Sequence, residues 1–162
     1  MQARIARTLG WGLAVGLAAI LTAPAAAGAQ AQTQTIHFSG MTQTQPAVNP
    51  CSGVPGTLSE TVTEGVEHLT SNPDGTYHLS FRITAAITFT PDDPSQPTLT
   101  GTSTDGTGQN VNNKTSTLTA TFSGRATGSD GSSVSLHGAA HVTVNAAGTV
   151  TVDFEIGHVS CG

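Results

Sequence analysis

Apolar and polar residues alternate along most of the chain beyond residue 32, and a period of two marks half-buried strands. The clearest stretch is Tyr77–Thr90. Tyr77, Leu79, Phe81, Ile83, Ala85, Ile87 and Phe89 fall on one face, with His78, Ser80, Arg82, Thr84, Thr88 and Thr90 on the other. The alternation recurs through Lys114–Thr127, Ser132–Asn145 and Thr149–His158, now with the apolar face on even numbers. That face carries Leu118, Ala120 and Phe122, then Val134, Leu136, Val142 and Val144, then Val150, Val152, Phe154 and Ile156. Weaker strands are expected over Thr35–Met41, Thr57–Thr70 and Thr98–Asp105. No segment after residue 32 shows helical periodicity of useful length.

Turn residues tie these strands into hairpins. Asp74-Gly75 suits a two-residue type I′ turn, which would pair Val66 with Ile83, Val62 with Ile87, and Glu67 with Arg82. A loop at Ser129-Asp130-Gly131 would pair Ala126 with Val134 and Leu118 with Val142, setting Phe122 on Gly138 and Leu136 on Gly124. Ala146-Ala147-Gly148 suits a three-residue loop ending in a left-handed glycine. It would pair Val144 with Val150, Val142 with Val152, and His141 with Asp153. All three turns put apolar on apolar, and such agreement between levels favours the assignment. Pro91, Pro94, Pro97 and the Gly/Asn-rich Gly106–Asn113 break pairing and mark a long surface loop. The expected fold is all-β, with about seven strands in a single antiparallel up-and-down barrel or a two-sheet sandwich. Long strands and local connections favour the barrel.

The N-terminus changes the picture of where this domain works. Arg4 and Arg7 precede an apolar run, Leu9–Leu21, and then the small residues Thr22–Ala31. That order is a secretory signal peptide, with cleavage expected after Ala29. Residues 1–29 are thus a leader and 30–162 a secreted β-domain. The apolar run is shorter than the roughly 20 residues of a spanning helix, so no membrane span remains after cleavage. All ten acidic residues lie in the mature domain, against three bases, Arg82, Lys114 and Arg125. Nucleic acid and anionic membranes need basic clusters, so this balance argues against both as partners.

Two cysteines, Cys51 and Cys161, stand near the two ends of the mature domain. An even count in an exported chain reads as a disulfide. With so few aromatic residues the core is modest, and closing a loop of about 110 residues would stabilise it by about 4–5 kcal/mol in the chain-entropy picture. A pair without CxxC spacing makes a poor metal site.

Candidate chemistry is sparse. The even face of Thr57–Thr70 reads Leu58, Glu60, Val62, Glu64, Val66, His68. If that face points inward, Glu60, Glu64 and His68 project among Phe81, Ala85 and Phe89, as polar ligand contacts or an acid–base group with a displaced pKa. The competing reading is an edge strand with inward charges, or a bulge at Gly65 that swaps faces halfway. His137 and His141 have metal-pair spacing on a helix, but on a strand they stand about 13 Å apart. No Gly-x-Ser-x-Gly elbow, phosphate loop or cofactor motif is present, and no metal or cofactor is expected.

At Asn49-Pro50-Cys51, the Gly128-Ser129-Asp130-Gly131 turn, the Val142–Val152 hairpin and the closing Cys161-Gly162, the chain resembles a set of secreted actinobacterial β-rich proteins of uncharacterised activity. The resemblance implies a secreted β-domain with the same disulfide and supplies no functional residue. Three functions fit the sequence. The first is a non-enzymatic domain, structural or binding a surface protein. The second is a barrel for a small apolar ligand. The third is a barrel-type isomerase or cyclase using Glu60, Glu64 or His68.

Overall fold

A computed structural model describes residues 30–162; the expected leader over residues 1–29 lies outside the described residues. Eight strands form one antiparallel sheet: β1 (Gln32–Phe38), β2 (Thr42–Val48), β3 (Pro55–Ser71), β4 (Tyr77–Pro91), β5 (Leu99–Val111), β6 (Thr115–Gly128), β7 (Ser133–Asn145) and β8 (Val150–Cys161). No helix occurs among the described residues. From β3 to β8 every strand pairs with the next. β1 and β2 both pair with β3, β1 along Gly65–Ser71 and β2 along Pro55–Thr61. They are two halves of one edge strand, broken where Gly40 takes a left-handed φ of 78°.

Three hairpins share one turn. Asn72 and Thr76, Gly128 and Ser132, and Asn145 and Thr149 each bracket three loop residues. The third residue is a left-handed glycine, Gly75, Gly131 or Gly148. This is the three-residue loop with a glycine bulge. The order of side chains explains two of the three. Asp74 Oδ1 accepts from the backbone N–H and hydroxyl of Thr76, and Asp130 does the same for Ser132. The first loop therefore has three residues, not the two expected from Asp74-Gly75.

That one-residue difference moves the β3–β4 register, so Glu67 lies opposite Phe81 rather than Arg82. A bulge between Val62 and Glu64 adds a second residue and changes the face that β3 presents inward, so Glu60, not Val62, lies opposite Ile87. Thr63 is the extra residue, and its hydroxyl donates to the Thr84 carbonyl at 3.0 Å. The β6–β7 register follows the sequence expectation throughout, with Phe122 opposite Gly138 and Leu136 opposite Gly124. A Cβ on Gly138 would overlap the Phe122 ring, so large on small is a packing requirement here.

The sheet rolls around one core without closing, because among the described residues β8 pairs only with β7 and the β1–β2 edge only with β3. Leu58, Ile87, Phe89, Leu99, Ala126, Val134 and Leu136 form the buried cluster, and Ala47 of β2 and Val159 of β8 pack on it from the two edges. Burying each larger side chain is worth about 1.5–3 kcal/mol. The Cys51–Cys161 disulfide, Cα–Cα 5.8 Å, joins the edges at this end. At the opposite end the inner face is only half covered, and Leu69, Leu79, Phe81 and Thr107 are half-buried.

Two further expectations change. Gly106–Asn113 is largely strand: β5 runs to Val111 and pairs on both sides, so the irregular connection shrinks to the proline segment. In β8, Val144 meets Val150 as expected, but a register shift follows, and Val142 then faces Asp153 while Thr143 faces Val152.

Candidate functional site

The inner face where the packed half gives way to the open half holds the buried carboxylates. Its floor is set by period two. On β3, Leu58, Glu60 and Val62 point inward; on β5, Leu99 starts an inward row that continues through Gly101, Ser103 and Asp105. Glu60 and Asp105 therefore face the same interior with β4 between them. Glu60 is only 7% exposed. Gln43 Nε2 donates to its Oε2 at 3.1 Å, and the Ser103 hydroxyl donates to its Oε1 at 3.5 Å. These donors answer the cost of burying a carboxylate.

Asp105 has less support. Its Oδ2 is buried and has no hydrogen-bond partner. Burial first, and the neighbouring Glu60 charge second, raise its pKa from 3.8 to about 6. Two carboxylates in one half-dry site favour a proton on one of them. The expected strand Thr98–Asp105 already contained Asp105, but Leu99 is its only large apolar residue, so the alternation marked no inward face there.

The structure separates the three candidate residues. Glu60 is on the inner face as expected. The Thr63 bulge turns Glu64 and His68 to the outer face, opposite Thr84 and Ser80. Both are exposed, and His68 Nδ1 lies 2.7 Å from the Thr35 hydroxyl. The inner positions they would have held belong to Gly65 and Glu67. Gly65 has no Cβ where the Phe38 ring lies, and that ring stacks on Phe81 with centroids 5.6 Å apart.

Beside Glu60 opens a cavity of about 170 Å³ lined by Met41, Gln43, Val62, Ile83 and Ala85. A second, about 200 Å³, lies by the disulfide between Val54, Pro91, Gln96 and Asp130. Within the core itself the free volumes are about 20 Å³ each, one of them lined by Glu60 and Asp105.

The rim at β8 is the other unusual feature. The register shift sends Val152, Phe154 and Ile156 to the outer face and Asp153 and Glu155 to the inner one. The expected apolar lining is therefore reversed there. Val152, Phe154 and Ile156 are 44%, 47% and 58% exposed. Phe154, not Asp153, lies opposite His141, and their rings stack at 5.7 Å. His141 is further held by the hydroxyls of Thr119 at 2.7 Å and Thr143 at 3.1 Å. His137 lies four residue pairs away beside His158 on the same outer face. Among the described residues no group of three or more His, Cys, Asp or Glu side chains is placed to hold a metal ion.

No family model, no curated protein and no solved structure matches the chain. No helix of the described residues is long and apolar enough to cross a membrane.

Proposed function

We propose that this is an exported, non-enzymatic bacterial β-domain that works by binding a macromolecule at its surface. The observation that carries this reading is the outer face of β8. Elsewhere the outer face is mostly threonine, serine and charged residues, with Val48 and Val66 as isolated large apolar positions, and here three adjacent outward positions are large and apolar. Contiguous exposed apolar surface on a small domain marks an interaction site. The signal-like N-terminus and the disulfide support an oxidising, extracellular setting.

The small-ligand reading has less behind it. Sites for such ligands run from about 300 to 1,000 Å³, and the cavity beside Glu60, at about 170 Å³, is smaller. For the isomerase or cyclase reading, Glu60 has no Glu64 or His68 beside it on the inner face.

Site-specific photo-crosslinking in the exporting cell tests the proposal. A benzophenone side chain in place of Phe154 should yield a discrete crosslinked macromolecule. The same group in place of Thr127, exposed on the outer face of β6, should not. No crosslink from position 154, or equal crosslinking from both, would refute the surface reading.

A further inference from the structure

β8 is open along its backbone as well as on its outer face. Ser133 and Gly162 exchange both backbone hydrogen bonds, at 2.7 and 3.0 Å. In an antiparallel pair, hydrogen-bonded and non-hydrogen-bonded residues alternate. Following the register along β8, Val152, Phe154, Ile156 and His158 direct their N–H and C=O groups to β7. Asp153, Glu155 and Gly157 direct theirs away from β7, to the edge where no strand pairs.

The two edges are guarded differently. β2 carries Pro46, which lacks an N–H, and β1 is mostly Gln and Thr. β8 has neither proline nor lysine, and its guard is a pair of inward-pointing charges. Its only charged side chains near the centre are Asp153 and Glu155, and both lie on the inner side. In a face-matched antiparallel pairing of two β8 edges centred on Phe154, each Asp153 would stand opposite the other copy's Glu155. Like charges directly opposite are destabilising, so that register of a β8–β8 pair is disfavoured. A basic side chain at the same place would be attracted.

Building on the surface-binding reading above, we infer that β8 is a docking edge for an extended peptide segment whose residues alternate between basic and apolar. The segment adds a strand to the sheet through the free N–H and C=O groups of Asp153, Glu155 and Gly157. Its basic side chains meet Asp153 and Glu155, and its apolar ones continue the row Val152, Phe154, Ile156. Main-chain bonds give such strand addition its affinity, and alternate side chains give it specificity. The inner acidic groups Glu60, Glu67 and Asp105 carry the same sign as the edge, so the open half as a whole favours a cationic partner.

The test uses the purified mature domain and labelled synthetic peptides of alternating valine and lysine or valine and glutamate. The valine–lysine peptide should bind a monomeric protein. The double change Asp153→Asn, Glu155→Gln should weaken that binding by about tenfold, and so should raising the salt well above physiological strength. The valine–glutamate peptide should fail. Equal binding of both peptides, unchanged binding to the double variant, or no binding would overturn the proposal. So would light scattering that shows a dimer which Phe154→Ser returns to monomer. Both altered residues are exposed, so the fold is expected to survive the change, and circular dichroism checks that. If the peptides fail while the crosslink from position 154 persists, the basic strand is wrong and the surface reading stands. If the crosslink fails too, both fall.

Discussion

Asp105 is where a single residue costs the fold stability. Its pKa in the folded chain, about 6, exceeds the ordinary 3.8, so the native state holds a proton that the unfolded state releases. Stability then falls as pH rises from 3.8 to about 6, and the penalty is complete above that. Asp105→Asn should raise stability at pH 7 by on the order of 1 kcal/mol, discounted because the site is partly wet. Below pH 3.8 the same change should have no effect. Thermal unfolding of both proteins across pH 3.5–7.5 reads the difference directly. The turn aspartates act oppositely and at lower pH. Hydrogen bonds from the Thr76 side chain, the Ser95 backbone and the Ser132 side chain lower the pKa of Asp74, Asp93 and Asp130. Their stabilisation is lost only as pH falls below 3.8, outside the Asp105 window. A wild-type stability that rises steadily from pH 4 to 7 would contradict the placement of Asp105.

At the scale of strands, Gly65 and the Thr63 bulge hold the edge together. Gly65→Ala should push Phe38 off Phe81 and free β1, costing about 1–3 kcal/mol as an overpacked site does. Limited proteolysis should then cut within Gln32–Phe38 before any other strand, and cutting no faster than in the wild type would count against it. The same strands show what was legible in the sequence. Period two gave β4, β6 and β7 their faces, because none of the three carries an extra residue. The β6–β7 register was legible in full from one turn and two glycines. β3 and β8 were not, because each contains an extra residue. A bulge leaves no mark in the alternation of Glu60, Val62, Glu64 and Val66, yet it reverses every side chain beyond it. So Glu64 and His68 left the interior, and Val152, Phe154 and Ile156 left the lining. Asp105 lay hidden for a different reason. Its strand Thr98–Asp105 was expected, but with Leu99 as the only large apolar residue the alternation gave it no inward face.

The whole molecule is a rolled sheet fastened at one end. The packed half and the disulfide close it there, and the other half stays open with a carboxylate pair at its floor and a bare edge at its rim. The bond spans a sequence separation of 110 residues, and its loss should cost about 4–5 kcal/mol in the chain-entropy picture. Cys51→Ser with Cys161→Ser should lower the unfolding midpoint by on the order of 15 °C. An unchanged midpoint would mean that the packed half alone holds the edges together. Because the acids face inward and the apolar row faces outward, the bare edge is selective, and this makes it a site of recognition rather than of indiscriminate aggregation. The most direct test is residue-resolved amide hydrogen exchange along β8 in the purified, monomeric protein, before and after adding the valine–lysine peptide. The amides of Asp153, Glu155 and Gly157 should exchange rapidly in the free protein, those of Phe154, Ile156 and His158 slowly, and the first three should become protected when the peptide binds. Protection of Asp153, Glu155 and Gly157 in the free monomer, or no change on adding the peptide, would contradict the docking edge.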